Sequence, residues 1–333
     1  MAFGMSRRWV LRYAAVAGSG LLAQPLLAGH KPYPSRPVKL VVPFAAGGSA
    51  DIVARLVADA MQPALGQAMV VDNKAGAGGM IGSEAIARAA ADGYTVGLGS
   101  ISTLVVNPIL LPAARVRPME QLQPVIPLAS IASVFSLPSS LGVENFAQFV
   151  QAARAQGDNW AVGSSGIGSV GHVILQALNA QWGLQLRHIP YKGMGPVVQS
   201  VLAGQTQVLS DQFPSSAPHI AAGHLQPVAV AATARLPQLP QVPTLAELGY
   251  PQLNDLAMTW FGLVVPQGVP GEVVDRLHLA ATQALEQPEL RARWTQMGVQ
   301  PLGGSAANLW QMVERTGAHV RALVAAGVVR ADT

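Results

Sequence analysis

The sequence predicts an α/β protein built as two compact lobes, and three observations point there. A strand, a loop of Gly or Ser and a helix follow one another three times between Val38 and Ser102. A second run of strands and helices begins at Ser133. Between the runs there is no internal repeat, and the chain has no low-complexity linker beyond the Pro-rich stretch from Leu236 to Pro243, so two packed lobes fit better than separate beads.

In order, Val38 to Pro43 is an apolar run that reads as a buried strand, and Ile52, Val53, Leu56, Val57, Ala60 and Met61 recur at helical spacing after it. The intervening loop, Phe44-Ala45-Ala46-Gly47-Gly48-Ser49, sets almost no side chain between its backbone and a ligand. At a helix start the orphan amides and the positive end of the dipole point the same way, which suits an anion. A tight turn using Gly for positive φ is the plainer reading of Gly47-Gly48 alone. Met69 to Val71 is a second strand, followed by Ala75-Gly76-Ala77-Gly78-Gly79 and a helix through Ile81, Ala85, Ile86 and Ala89. Thr95 to Leu98 is a third, ending in Gly99-Ser100-Ile101-Ser102. This pattern predicts a parallel sheet whose carboxyl-end loops gather along one edge, where open α/β sheets bind ligands.

The second run starts with the strand Ser133-Val134-Phe135-Ser136-Leu137. Helices are expected over Phe146 to Ala155, Val170 to Leu178 and Val197 to Leu202. Strands are expected over Trp160 to Gly163, Leu186 to Pro190, Val208 to Ser210, Val228 to Ala231 and Met258 to Val265. Three helices centred on Val274, Arg291 and Val313 finish the chain.

With 333 residues, 50% hydrophobic and 11% charged, the chain can bury a large core, and disorder is excluded. Its 21 Lys and Arg against 17 Asp and Glu give +4, but Arg7, Arg8 and Arg12 sit in a leader-like segment. Subtracting those three leaves 18 against 17, or +1, too little for a nucleic-acid partner. Cysteine is absent, which removes disulfides, thiolate metal sites and a lipid-modified N-terminal Cys. Three arginines without an acid, then a small and apolar run from Tyr13 to Ala28, form a secretory signal pattern with cleavage expected at Leu26-Leu27-Ala28. Residues 1–28 are thus expected to be a cleaved signal peptide and the mature protein to be a soluble periplasmic one. Ser6-Arg7-Arg8-Trp9-Val10-Leu11-Arg12 resembles a twin-arginine signal, and an ordinary Sec signal with paired arginines stays open beside it.

Catalytic motifs fail on spacing. Gly166-Ile167-Gly168-Ser169-Val170-Gly171 satisfies G-x-G-x-x-G, yet after Asp158 the next acid is Asp211, so no acid stands where a dinucleotide ribose needs one. Gly163-Ser164-Ser165-Gly166-Ile167 misses the nucleophile elbow because Ile167 stands where the closing Gly belongs. An exported α/β hydrolase-like enzyme with a serine nucleophile remains the alternative reading. No P-loop occurs, and the seven His have no ligand spacing, so neither cofactor nor metal is expected. His172 reads as a packed or capping residue. What remains is a set of small-residue, hydroxyl-bearing loops at strand ends, which suits holding a small polar ligand without reacting with it.

Several of these stretches, taken in order, resemble the periplasmic receptors of tripartite tricarboxylate transporters, the Bug family. They are Val42-Pro43-Phe44-Ala45-Ala46-Gly47-Gly48-Ser49-Ala50-Asp51, Asn73-Lys74-Ala75-Gly76-Ala77-Gly78-Gly79-Met80-Ile81-Gly82 and Asp92-Gly93-Tyr94-Thr95. Gly163-Ser164-Ser165-Gly166 with His172, Pro190-Tyr191-Lys192-Gly193 and Leu239-Pro240-Gln241-Val242-Pro243-Thr244-Leu245-Ala246-Glu247 continue the register.

The resemblance implies a type II periplasmic-binding (Venus flytrap) fold, with lobe I from residues 36–132 plus 256–333 and lobe II from residues 133–255. The crossings would fall near Ser133 and Asp255. It further implies a monomer that takes a small carboxylate, gripped by backbone amides, hydroxyls and waters, with a membrane permease as a further partner. By position, Phe44, Ala46, Gly47, Gly48, Ser49, Asp51, Ala77, Gly78 and Ser100 would face the ligand from lobe I. Ser164, Ser165, Ser169, Lys192 and Asp211 would close from lobe II, with Asp211 accepting from a ligand amine or hydroxyl. Ala50 stands where the family usually has Thr, and Leu209-Ser210-Asp211-Gln212 replaces a more apolar run.

Overall fold

A computed structural model describes Met1, residues 32–111 and residues 114–330 of the chain. The arginine-rich leader, its apolar run and the expected cleavage site therefore lie outside the described residues. Tyr33–Thr333 forms one compact unit. Its strands are β1 (Val38–Val42), β2 (Met69–Asn73), β3 (Thr95–Ser100), β4 (Leu122–Ile131), β5 (Ser133–Pro138), β6 (Ala161–Ser164), β7 (Arg187–Pro190), β8 (Val208–Gln212), β9 (Leu225–Ala231), β10 (Thr259–Pro266) and β11 (Val299–Pro301).

They form two sheets, ordered β11-β4-β10-β3-β1-β2 and β7-β6-β8-β5-β9. The expected parallel pairing holds for β2-β1-β3 and for β7-β6-β8. Both sheets are nevertheless mixed, because β10 runs antiparallel to β3 and β4, and β5 runs antiparallel to β8 and β9. The sheet expectation is corrected accordingly, and two strands escaped the sequence pattern, β11 and the longer β4. Its Pro124 and Pro127 break the appearance of a strand, since proline cannot donate to a ladder. The structure accommodates them with two register shifts against β10, between Phe261 and Gly262 and between Leu263 and Val264, so that Leu128 and Val125 become the extra bulge residues. Three of the four outer strands also carry a proline, Pro301 in β11, Pro190 in β7 and Pro227 in β9.

Both faces of the larger sheet are covered, as its parallel part β2-β1-β3 requires. Val38, Leu40 and Val42 of β1 join one apolar cluster and Val41 joins the other, following the alternation of a strand. The first cluster packs the helix Ser49–Leu65 through Val53, Val57 and Met61 against the helix Gly271–Glu286 through Leu277, Ala281 and Ala284. In the smaller sheet Phe135 and Leu137 are buried beside Phe149 and the Val173, Ile174 and Leu178 face of the helix Val170–Trp182. These packings hold the carboxyl ends of β1, β3, β6 and β8 around a shared cleft.

Candidate functional site

After β1 the chain turns at Gly47, whose φ of +82° is the left-handed conformation, whereas Gly48 is extended (φ −87°, ψ 167°) and serves as the N-cap of the helix Ser49–Leu65. No side chain caps this helix, and since the Asp51 and Ile52 amides donate to the Gly48 carbonyl, the Ser49 and Ala50 amides are those left to the cleft. Asp51, buried in the first turn, braces the loop instead. Its Oδ2 accepts from the Gly47 amide at 3.1 Å and from Arg55 Nε at 3.0 Å. Its Oδ1 accepts from Asn73 Nδ2 at 3.0 Å and lies 2.9 Å from Arg55 Nη2. Asn73 Nδ2 also donates to the Phe44 carbonyl at 3.0 Å. Burial raises the Asp51 carboxyl's affinity for a proton, but the Arg55 guanidinium and the amides of Gly47 and Asn73 hold it below the usual carboxylate range. The acid is thus ionised and neutralised by Arg55, so it does not repel an anion at the helix start.

Across the cleft, contacts between the two sheets' loops are backbone-close. The Ala45 amide donates to the Lys192 carbonyl at 3.2 Å, and the Val170 amide to Ser102 Oγ at 3.0 Å. A Cβ on Gly195 would lie 2.3 Å from the Ala46 carbonyl oxygen, and one on Gly166 2.7 Å from the Gly78 nitrogen. Ser49 Oγ is 2.7 Å from Ser215 Oγ, accepts from the Ser215 amide at 3.1 Å and donates to the Gln212 carbonyl at 3.2 Å. Behind Ser215 sits Asp211, 1% exposed. It accepts from Ser215 Oγ and, at 2.7 Å, from the Gln212 amide. Burial pushes its carboxyl up to about 7 against the opposing pull of those two donors.

The closed cleft encloses a cavity of about 30 Å³, room for one or two waters. Of the residues the sequence singled out, Phe44, Gly48, Ser49, Ser100 and Ser165 line it. Ala46, Gly47, Asp51, Ala77, Gly78, Ser164, Ser169, Lys192 and Asp211 are not part of its wall. Their placements give the reasons. Gly47 and Asp51 form the brace. Gly78, with Ala77 beside it in positive φ, is a closure contact held by Asn107 Nδ2 on its carbonyl at 3.0 Å. Ser169 caps the helix Val170–Trp182, accepting from the His172 amide. Lys192 is exposed and contributes its carbonyl.

Ser164 is fully buried, with Oγ 2.7 Å from His188 Nε2, and His188 stacks on His172 at 4.3 Å between ring centroids. That Ser–His contact is the arrangement a nucleophile would need. Ser164 Oγ, however, is tied to the Gly166 amide and carbonyl and is not in the cavity wall. Sequence reasoning did not assign Ala50, Ile101, Ser102, Val170, Met194, Gln212, Thr259 and Phe261 to the site, all in the wall. Thr259 and Phe261 share a face of β10 by alternation, and Met194 lies between Gly193 and Gly195, which both come close to the first lobe; those were the available signals.

The geometry matches known proteins along its length. The model of the tripartite tricarboxylate transporter family receptor matches residues 53–327. BugT of Bordetella pertussis is 34% identical over 291 residues, 87% of this chain and 87% of BugT. Among solved structures, the periplasmic binding protein BugD superposes with a TM-score of 0.85 at 31% identity, covering 90% of this chain and all of BugD's. MatC from Rhodopseudomonas palustris with bound malate gives 0.80 at 31% identity, covering 86% of this chain and 98% of MatC's. The match runs through both sheets and into the last helix, so it is a property of the whole two-lobed fold, and the chain belongs to the family of tripartite tricarboxylate transporter receptors, the Bug proteins.

Proposed function

We propose that the protein is a periplasmic solute receptor that holds a small carboxylate between its lobes by backbone amides, hydroxyls and waters and delivers it to a membrane transporter. The observation that carries this reading is the uncapped first turn of the helix Ser49–Leu65, which opens on the cavity together with the hydroxyls of Ser100, Ser102 and Ser165 while Arg55 neutralises Asp51. Malate bound to MatC supports the ligand class. No helix among the described residues is long and apolar enough to cross a membrane, in keeping with a receptor that works beside one. Lobe I comprises residues 36–132 and 256–333 and lobe II residues 133–255, a division supported by the way the strands sort between the sheets. The cavity is smaller than any such ligand, so binding proceeds by spreading the lobes and closing them again.

A ligand that binds only the native state raises its thermal midpoint. Screening mono-, di- and tricarboxylates and amino acids by thermal shift tests the reading, with an upward shift expected from at least one carboxylate. No shift from any of them would refute it.

A further inference from the structure

On the far side of β10 from the cleft, a groove of about 470 Å³ lies beside the segments by which the chain passes between the two sheets. Ser130 in β4, Thr233 just after β9 and Met258 just before β10 all line it. A hollow of about 230 Å³ adjoins it, sharing those three residues and Gln300. Thr259 and Phe261 face the cleft cavity, whereas Trp260, between them on β10, faces the groove. The last helix, Ala306–Ala325, divides in the same way. Its Leu309, Val313 and Val320 are buried in the core, while Met312, Arg315, Thr316 and His319, at the spacing of one helical face, line the groove.

Two properties of this wall point to an occupant. As it stands, with no parting of the lobes, the groove has the volume of a small-molecule pocket, about 300–1,000 Å³. Its apolar floor is made by Leu256, Met258, Trp260 and Met312, and the indole is fixed there by donating from Nε1 to Thr316 Oγ1 at 3.3 Å. The other property is charge. Arg36, Arg55, Arg88, Arg117 and Arg235 each hold a carboxylate. Arg315 is exposed and holds none among the described residues, because the positions three and four away on its helix are Gln311, Met312, Ala318 and His319. No carboxylate lines the groove among the described residues, and His319 Nε2 is without a partner. A guanidinium left free beside an apolar floor attracts an anionic group and leaves the floor to the rest of the molecule.

We infer that this groove is a second ligand site, taking an organic anion with a flat apolar body, its acid group on Arg315 and its rings over Trp260 and Met258. The inference goes beyond the receptor reading of the cleft and does not depend on it.

Isothermal titration of the purified chain at neutral pH with 2-naphthoate, and with 2-naphthol as its uncharged counterpart, tests this. 2-Naphthoate should bind at least about tenfold tighter than 2-naphthol. Arg315→Gln, an exposed substitution, should abolish that preference. Gly48→Pro, which alters the cleft, should leave 2-naphthoate binding within about threefold of wild type. No binding of 2-naphthoate, or a preference that survives Arg315→Gln, overturns the site. Binding that is lost in a Gly48→Pro protein with wild-type circular dichroism places the molecule in the cleft and overturns it as well.

Discussion

Closure of the cleft can be blocked by a single methyl group. Gly195 lies in the first turn of the helix Met194–Leu202, in a conformation open to any residue, so Gly195→Ala places no strain on its own lobe and improves local helix propensity. The new Cβ would meet the Ala46 carbonyl oxygen at 2.3 Å, where ordinary contact begins at 3.4 Å. The obstacle is backbone on a braced loop, so no side chain can swing aside, and the lobes must part by about 1 Å at this point. That movement stretches the Ala45 to Lys192 bond beyond hydrogen-bonding range and loosens the Ser49 to Ser215 pair. Two lost bonds at about 1 kcal/mol each disfavour the closed state by about 2 kcal/mol, or about thirtyfold in affinity for a ligand that needs closure. Calorimetry with the tightest carboxylate should therefore show Kd rising about thirtyfold, while circular dichroism without ligand shows the fold intact. Gly271→Ala, at a helix start with nothing within 4 Å of its Cβ, is the control and should bind as wild type. A Gly195→Ala protein binding within about threefold of wild type would refute closure through this contact.

Two further predictions concern charges around the cleft. The Asp211 carboxyl sits at about 7 in the folded chain against an ordinary 3.8, so between those values the folded state holds a proton that the unfolded state has lost. Stability from this group therefore falls as pH rises from about 4 to about 7 and is level above, and Asp211→Asn should remove that slope. Thermal midpoints of the two proteins that stay parallel across the window would contradict the assignment. For the loop, Gly48 has a φ that proline can adopt, so Gly48→Pro deletes one amide at the helix start with little strain and should weaken carboxylate binding at least about tenfold. Arg55→Ala acts only through the Asp51 brace and should cost less than this, with the fold intact by circular dichroism; abolished binding in Arg55→Ala would mean that a side chain, not the backbone, holds the anion.

The loop from Phe44 to Ser49 was legible because strand, small residues and helical spacing follow one another locally, and β2 and β3 were legible for the same reason. The Asp51 brace was only half legible. An acid in a first turn suggests dipole compensation, whereas its bonds to Asn73 depend on the pairing of β1 with β2, which sets Asn73 opposite Val42 and below the loop. Register of that kind is a tertiary fact. Phe261 and Thr259 escaped because apolar alternation on a strand looks the same whether it faces a core or a cleft, and β10 reaches the site only by running antiparallel to β3. Met194 was hidden for a related reason, since a methionine at a helix start reads as packing until the opposite lobe is known. Asp211 drew attention as an acid near an anion site, but its burial behind Ser215 is a product of the β5–β8 pairing and the helix Phe213–Ala221.

The prolines of the outer strands bear on how copies of this protein behave toward one another. An exposed strand edge offers unpaired amides and carbonyls on which another chain can add, which is the usual route from a folded sheet to aggregates. In β7 and β11 a residue without an N–H interrupts that row, and in β9, which also carries Pro227, Val230 is paired outward with Pro243 and Leu245. In β2, the remaining edge, the ladder ends beside the paired charges of Asp72, Lys39 and Lys74. A receptor that parts two sheet-bearing halves to admit its ligand, as proposed above, would thus carry, at each outer strand of those sheets, a feature that discourages a neighbour from stitching itself on.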